Sequence, residues 1–341
     1  MRRVIDKIIN HEDLSLEESQ STMEEIMEGK ATPAQIASFI TGLRMKGETI
    51  DEITGAALVM RDKAAEIKTN QDILVDVCGT GGDKLNTFNI STTTAFVVAG
   101  AGVSVAKHGN RSVSSKSGSA DLLEKLGVNL NLTPNQVGQC IDQIGIGFLY
   151  APTFHQAMKY AIAPRKEIGA RTIFNMLGPL TNPAKAQIQL LGVYDSDLTE
   201  PIAYVLKNLG VESAFVVHGL VGLDELSTVG KTKISQLKDG KVETYYIRAE
   251  DLGLESAGIE DLAGGTPEEN AEITLDILKA KQSKKRDVVL LNAAAALVAA
   301  NQVQSLAEGI ELAARVIDQG LALEKLEQLI RYSHSLVGEV S

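Results

Sequence analysis

Apolar residues recur at helical spacing through the first 68 residues, in Val4-Ile8-Ile9 and again in Ile36-Phe39-Ile40-Leu43. Thr32-Pro33-Ala34-Gln35 and Thr49-Ile50-Asp51-Glu52 stand at the head of such runs as capping boxes, each offering a side-chain acceptor to free backbone N–H groups. This stretch predicts several short helices and no strand. From Ile73 the period changes. Short apolar runs at 73–77, 103–106, 146–149, 189–193 and 214–217 read as buried strands, with helical stretches such as 91–101 between them. Alternation of this kind predicts a mostly parallel sheet covered by helices. Residues 233–237, the dipeptide Asp239-Gly240 and residues 242–247 predict a hairpin with a type I′ turn. Thr133-Pro134 and Thr266-Pro267 open two more capping boxes, completed by Gln136 and Glu269, and the chain beyond Pro267 predicts helix to near its end. The expectation is an α/β protein with a small N-terminal helical domain over 1–68 and a larger α/β domain over 69–341.

Composition narrows the function classes. A chain of 341 residues suits two ordinary domains. Lys+Arg 33 against Asp+Glu 44 gives a net charge of −11, which argues against a basic surface for duplex nucleic acid. Aromatics at 4% and the absence of tryptophan disfavour a base-stacking platform. Cys78 and Cys140 make neither a disulfide framework nor a closed zinc site, and suit a reducing compartment. No apolar core of a signal peptide follows Arg2-Arg3, and the longest apolar run, 288–300, is broken by Asn292 and too short for a membrane span. A soluble, cytoplasmic protein is expected.

Four segments could carry chemistry. Asp76-Val77-Cys78-Gly79-Thr80-Gly81-Gly82-Asp83, followed by Asn89-Ile90-Ser91-Thr92, takes a strand into a glycine-rich turn and a helix start. Such a turn either cradles an oxygen-rich anion or is a tight turn with an ordinary helix cap. It is neither Gly-x-Gly-x-x-Gly nor the P-loop. After the second strand come Lys107-His108-Gly109-Asn110-Arg111 and Ser112 to Ser119, rich in cations and hydroxyls. A dinucleotide fold would place an acidic residue there for a ribose hydroxyl, so this loop suits phosphate. Asp224-Glu225 follows the 214–217 strand, where adjacent carboxylates suit Mg²⁺ shared with substrate phosphates, or else decorate a surface loop. Arg165, ahead of the stretch Asn175 to Pro183, either grips a planar carboxylate or is an exposed helix-end charge.

Taken together and in order, Gly79-Thr80-Gly81-Gly82-Asp83, Asn89 to Thr92, Lys107 to Arg111, Arg165, Asn175 to Pro183 and Asp224-Glu225 resemble the anthranilate phosphoribosyltransferase family over essentially the whole chain. The resemblance implies a nucleoside phosphorylase/phosphoribosyltransferase-like fold, with a segment near 165–185 rejoining the helical domain and a homodimer formed through it. The implied reaction transfers the phosphoribosyl group of 5-phosphoribosyl 1-diphosphate to the amine of anthranilate, the second step of tryptophan synthesis from chorismate, with Mg²⁺. The resemblance further implies that Gly79, Gly82, Asp83, Thr87, Asn89, Ile90, Ser91 and Thr92 hold the phosphoribosyl diphosphate. The loop Lys107, His108, Gly109, Asn110, Arg111, Ser112, Val113, Ser114 and Ser115, with Ser119, would close over it. Ser91, Asp224 and Glu225 would bind two Mg²⁺ ions. Gly79, Asn110 and Arg165 would place anthranilate. No strong base is required, because the amine becomes acidic as its bond to carbon forms; His108 is a proton acceptor or a wall of the pocket. Two rivals remain on the residues: a pyrimidine nucleoside phosphorylase-like enzyme, and a non-catalytic nucleic-acid-binding relative of the same fold.

Overall fold

The computed structural model describes residues 1–83, 85–112 and 116–337. Four helices lead: α1 (Arg2–Ile9), α2 (Leu16–Met27), α3 (Pro33–Lys46) and α4 (Ile50–Asp62). Their starts follow from local chemistry. Ser15, Thr32 and Thr49 each accept the N–H three residues on, and Glu18, Gln35 and Glu52 return the bond to the capping residue's own N–H. Glu52 is fully buried, yet its carboxylate accepts from the Leu14 and Thr49 amides and from Lys46 Nζ at 3.0 Å. That set of donors offsets the cost of burying the charge.

Beyond them runs a seven-stranded sheet in the order β3-β2-β1-β4-β5-β6-β7. Its strands are β1 (Val75–Gly79), β2 (Val105–Gly109), β3 (Ile146–Tyr150), β4 (Ile188–Gly192), β5 (Ser213–Gly219), β6 (Lys231–Lys238) and β7 (Lys241–Arg248). The first five are parallel and the last two pair antiparallel. Asp239 and Gly240 turn the hairpin with φ of 50° and 72°, as a type I′ turn needs. β1 and β2 start two residues later than the apolar runs suggest and continue into their glycines. Ile73 is apolar but 53% exposed, and Gly79 and Gly109 are kept in the ladder by pairing with Gly192 and Tyr150.

Helices cover both faces. On one side lie α5 (Ile90–Gly100), α6 (Ser119–Lys125), α7 (Pro134–Ile144), α12 (Pro267–Leu278), α13 (Lys284–Ala299), α14 (Leu306–Asp318) and α15 (Leu321–Ser335). Their apolar residues share one core with Val77, Leu190, Phe215 and Val217 of the sheet. The alternate sheet residues Cys78, Leu191, Ala214 and Val216 face a second core. That core is shared with Ile40 and Ile53 of α3 and α4, with Phe174 and Leu177 of α10 (Ile173–Leu180), and with Ile202 and Leu206 of α11 (Thr199–Asn208). Alternate burial on both faces explains why these strands read as continuous apolar runs. The short helix α8 (Ala151–Phe154) and α9 (Lys159–Ile168) complete the set, with α9 packed on α3.

Candidate active site

Strand order locates the site. After β1 the chain builds the sheet toward β3, and β4 then starts the other half, so the carboxyl ends of β1 and β4 flank a crevice at the switch point. In register, Gly79 stands opposite Gly192 there. Both are glycine because Asp224 occupies the space above them. A Cβ on Gly79 would lie 2.6 Å from Asp224 Oδ2, and one on Gly192 would collide with the Asp224 backbone carbonyl.

Asp224 is brought in by a doubled-back loop after β5. Gly219 N–H donates to Leu223 O at 2.8 Å, with Gly222 at φ 99°. Behind the acidic pair, Asn292 of α13 accepts from the Leu226 amide at 3.0 Å and donates to its carbonyl at 2.9 Å. The residue that interrupts the long apolar run thus anchors the loop carrying Asp224 and Glu225. Sequence reasoning passed over Asn292 and Gly192 alike.

Both carboxylates are buried, and desolvation pushes each upward from the usual carboxylate range. The neighbouring Asp83 adds to the shift at Asp224, and Asp224 adds to that at Glu225. Asp224 Oδ2 accepts from the Gly81 amide at 2.7 Å, while Glu225 Oε2 has no hydrogen-bond partner among the described residues. Lys107 opposes this negative charge from below. Its ammonium is buried and donates to Val77 O at 2.6 Å and Ser91 Oγ at 3.3 Å, and burial lowers its pKa. Excess buried carboxylate with an unsatisfied oxygen fits a divalent cation. Among the described residues no group of three or more His, Cys, Asp or Glu is arranged to hold a metal by itself.

The remaining sequence-derived residues fall into three groups. Gly82 (φ 79°) and Asp83, whose Oδ1 accepts from the Leu85 amide, complete the turn. Thr87 bridges Ala263, and Asn89 accepts from Asn270 Nδ2 at 2.9 Å and from Ser117 Oγ at 3.2 Å, so a distant segment braces the start of α5. Ile90 and Thr92 bury their side chains beneath that start, leaving only backbone to face a ligand. Around the second loop, Asn110 is exposed, and Gly109 abuts Phe148 and Ser119, where a Cβ would sit 2.8 and 3.0 Å away. Arg111 is held by Asp121 at 3.1 Å, by Glu124 at 2.8 Å and by the Tyr150 hydroxyl at 3.2 Å. Asp121 Oδ2 also accepts from the Ser112 and Gly118 amides, both at 2.9 Å, pinning the two ends of the loop. Val113, Ser114 and Ser115 lie outside the described residues.

On the acceptor side, Arg165 of α9 is half-buried with its guanidinium 5.0 Å from the Phe174 ring centroid, and desolvation lowers its pKa. Among the described residues it has no carboxylate partner within ion-pair distance. His108 packs against His155 with ring centroids 5.1 Å apart. Burial pushes His108 down to about 3 and His155 to about 4, so both imidazoles are neutral near pH 7. The stretch from Asn175 to Pro183 is seated by buried side chains, with Gln189 donating to Pro179 O and Arg61 to Leu180 O.

The molecule thus sets a helical bundle against a mostly parallel sheet and brings an acidic pair to the sheet's switch point, and its two parts match the two domains of a glycosyl transferase family. Residues 2–64 match the glycosyl transferase family, helical bundle domain, and residues 70–323 match the glycosyl transferase family, a/b domain. Curated relatives include the anthranilate phosphoribosyltransferase of Alkaliphilus metalliredigens, 58% identical over 98% of this chain and 99% of that protein. That of Acetivibrio thermocellus is 56% identical over 99% and 98%. The crystal structure of the Thermus thermophilus anthranilate phosphoribosyltransferase superposes with a TM-score of 0.93 at 41% identity, covering 97% of this chain and 99% of that one. The Saccharomyces cerevisiae enzyme in complex with PRPP and Mg gives 0.90 at 29% identity, covering 98% and 97%. The chain belongs to the anthranilate phosphoribosyltransferase family.

Proposed function

We propose that this chain transfers the phosphoribosyl group of 5-phosphoribosyl 1-diphosphate to the amine of anthranilate, releasing diphosphate, as the second step of tryptophan synthesis from chorismate. The observation that carries this reading is the Asp224–Glu225 pair over Gly79 and Gly192, facing the Lys107 ammonium and Ser91. Neither a nucleoside phosphorylase nor a nucleic-acid-binding relative is favoured by curated relatives above 50% identity that carry the transferase name.

In this reading the turn from Gly79 to Asp83 and the helix start from Asn89 to Thr92 hold the donor's phosphates through the amides left over once those of Thr80, Gly81 and Ile90 are committed to Gly192 O, Asp224 Oδ2 and Phe88 O. Ser91, Asp224 and Glu225 hold Mg²⁺, two ions in our reading, and Mg²⁺ neutralises charge developing on the departing diphosphate. Lys107 adds a fixed positive charge beneath that group, preorganised by its bonds to Val77 and Ser91. The loop from Lys107 to Ser115, with Thr87 and Ser119, encloses the donor. Arg111 must exchange its bonds to Asp121 and Glu124 for phosphate oxygens if it joins directly. Arg165, which has no carboxylate partner among the described residues, grips the anthranilate carboxylate, with Asn110 and the Gly79 backbone completing the acceptor site. Holding both reactants at attack distance supplies up to roughly 7–11 kcal/mol of barrier lowering. His108, too weak a base at about 3, forms a wall of the pocket.

The catalytic part spans 69–341, and residues near 165–185 join the helical part over 1–68. A homodimer through the helical part is supported by Ile9, Met45, Tyr160 and Ile162, which are 68%, 77%, 39% and 57% exposed on the neighbouring helices α1, α3 and α9. A cytoplasmic setting accords with two free, buried cysteines, and no helix among the described residues is long and apolar enough to cross a membrane. The decisive test mixes the chain with anthranilate, phosphoribosyl diphosphate and MgCl₂. Anthranilate fluorescence should decay with release of diphosphate. No decay with any divalent metal, or phosphorolysis of thymidine or uridine in its place, would overturn the reading.

A further inference from the structure

We propose that Arg171 is a positioning residue of this reaction, locking the glycine turn into the form that receives the donor's diphosphate and using Tyr194 as its platform. The inference rests on the phosphoribosyl-transfer reading. Gly81 and Gly82 both adopt positive φ, 66° and 79°, and neither carries a side chain to restrict rotation. The shape of the turn must therefore be imposed from outside, and three elements impose it. The Thr80 amide donates to Gly192 O at 2.9 Å, and Thr80 Oγ1 accepts from the Tyr194 amide at 3.0 Å. The Gly81 amide donates to Asp224 Oδ2. Gly82 O accepts from Arg171 Nη2.

The Arg171 guanidinium lies 4.2 Å from the Tyr194 ring centroid, so stacking supports the group that holds the carbonyl. Both the Thr80 and the Arg171 fastenings thus end on Tyr194, two residues past the end of β4. Peptide planarity extends the effect, because fixing the Gly82 carbonyl also fixes the direction of the Asp83 N–H. A loose Gly82 carbonyl could rotate into the crevice and repel a phosphate oxygen. Arg171 makes no ion pair among the described residues, so its charge also favours a polyanion nearby. It lies on the connection between α9 and α10, six residues beyond Arg165. The segment that carries the acceptor-side arginine therefore also holds the donor-side turn.

The test compares Arg171→Ala, Arg171→Lys, Tyr194→Ala and Tyr194→Phe by steady-state kinetics, thermal melting and calorimetric binding of inorganic diphosphate with Mg²⁺. Arg171→Ala should raise the KM for phosphoribosyl diphosphate about tenfold and weaken diphosphate binding alike, with kcat changed less than about threefold and the melting temperature retained. Arg171→Lys keeps a donor but no stacked fork, and should recover part of the loss. Tyr194→Ala should repeat the Arg171→Ala signature more weakly, and Tyr194→Phe, which keeps the ring, should reduce it. A donor KM and diphosphate affinity within twofold of the wild type in Arg171→Ala would overturn the proposal. So would a fall in kcat alone, or a crippled Arg171→Ala beside an unaffected Tyr194→Ala, which would mark direct substrate contact. A wild type that binds diphosphate but transfers nothing refutes the functional reading, and the binding comparison still decides the role of Arg171.

Discussion

Replacing Gly192 by alanine adds one methyl group at the most crowded point of the site. The new Cβ would lie 3.3 Å from Asp224 Cα and would overlap its carbonyl carbon and oxygen. Gly192 itself cannot retreat, because β4 is hydrogen-bonded between β1 and β5. The Asp224 backbone must therefore move by roughly 1.5 Å to restore an allowed contact, since packed interiors have no slack to absorb it. Glu225 moves with it. A misplacement of about 1 Å at reacting groups costs on the order of 100-fold in rate, and overpacking costs about 1–3 kcal/mol of stability. Gly79→Ala gives an internal comparison. Its Cβ meets the Asp224 side chain at 2.6 Å, a group that can swing aside, and the Asp224 carbonyl oxygen only at an ordinary 3.4 Å. Turnover by fluorescence loss should fall at least about 100-fold for Gly192→Ala and less for Gly79→Ala, with the Mg²⁺ requirement raised in both. Circular dichroism and melting curves separate misplacement from unfolding. A Gly192→Ala enzyme with turnover within fivefold of wild type and an unchanged melting temperature would refute the argument that glycine here makes room for Asp224.

Arg165→Ala should raise the KM for anthranilate by about tenfold or more while leaving that for the ribosyl donor within a few fold, because a charged bidentate contact is lost on one substrate only; an unchanged anthranilate KM would remove Arg165 from the acceptor site. Asp224→Asn with Glu225→Gln should abolish turnover yet melt no lower than wild type without metal, because two buried, mutually repelling carboxylates are removed; a large drop in melting temperature would show that the pair holds the fold together. His155 has its pKa lowered from 6.5 to about 4 by burial, so unfolding lets it take up a proton, and stability is full above pH 6.5 and declines as pH falls toward 4. The slope is at most about 1.4 kcal/mol per pH unit for each such imidazole, and His155→Gln should flatten it in melts between pH 6.5 and 4; an unaltered slope would show that His155 is solvated. Met45→Glu with Ile162→Glu should convert a dimer to a monomer in analytical ultracentrifugation, and a wild type that sediments as a monomer would exclude the helical-face dimer.

Local chemistry was enough to read the elements. Thr32, Thr49, Thr133 and Thr266 all cap helices as their boxes require, because a cap depends on residues three apart. Asp239-Gly240 turns the β6–β7 hairpin for the same reason. The parallel sheet followed from apolar runs alternating with helices, and the glycine turn and acidic pair stood out as strings. Errors arose where a neighbour far along the chain decides. Strands β1 and β2 extend to Gly79 and Gly109 because partner strands supply hydrogen bonds, and Ile73, half exposed, stays outside β1. The ion pairs of Arg111 with Asp121 and Glu124 were likewise not legible along the chain.

By itself, the sequence determined the fold class, the family and the residues that can bear charge, since each is written in local patterns and contiguous motifs. Only the tertiary structure decided which of them meet. Gly192 carries no motif, yet it must be glycine because Asp224, 32 positions later, lies across it. Asn292 reads as a flaw in an apolar run and anchors the acidic loop. Arg171 and Tyr194 join over the glycine turn from segments 23 residues apart. Assembly of the sheet brings such residues together, and steric exclusion and hydrogen-bond satisfaction act on distances in space, which spacing along the chain does not encode.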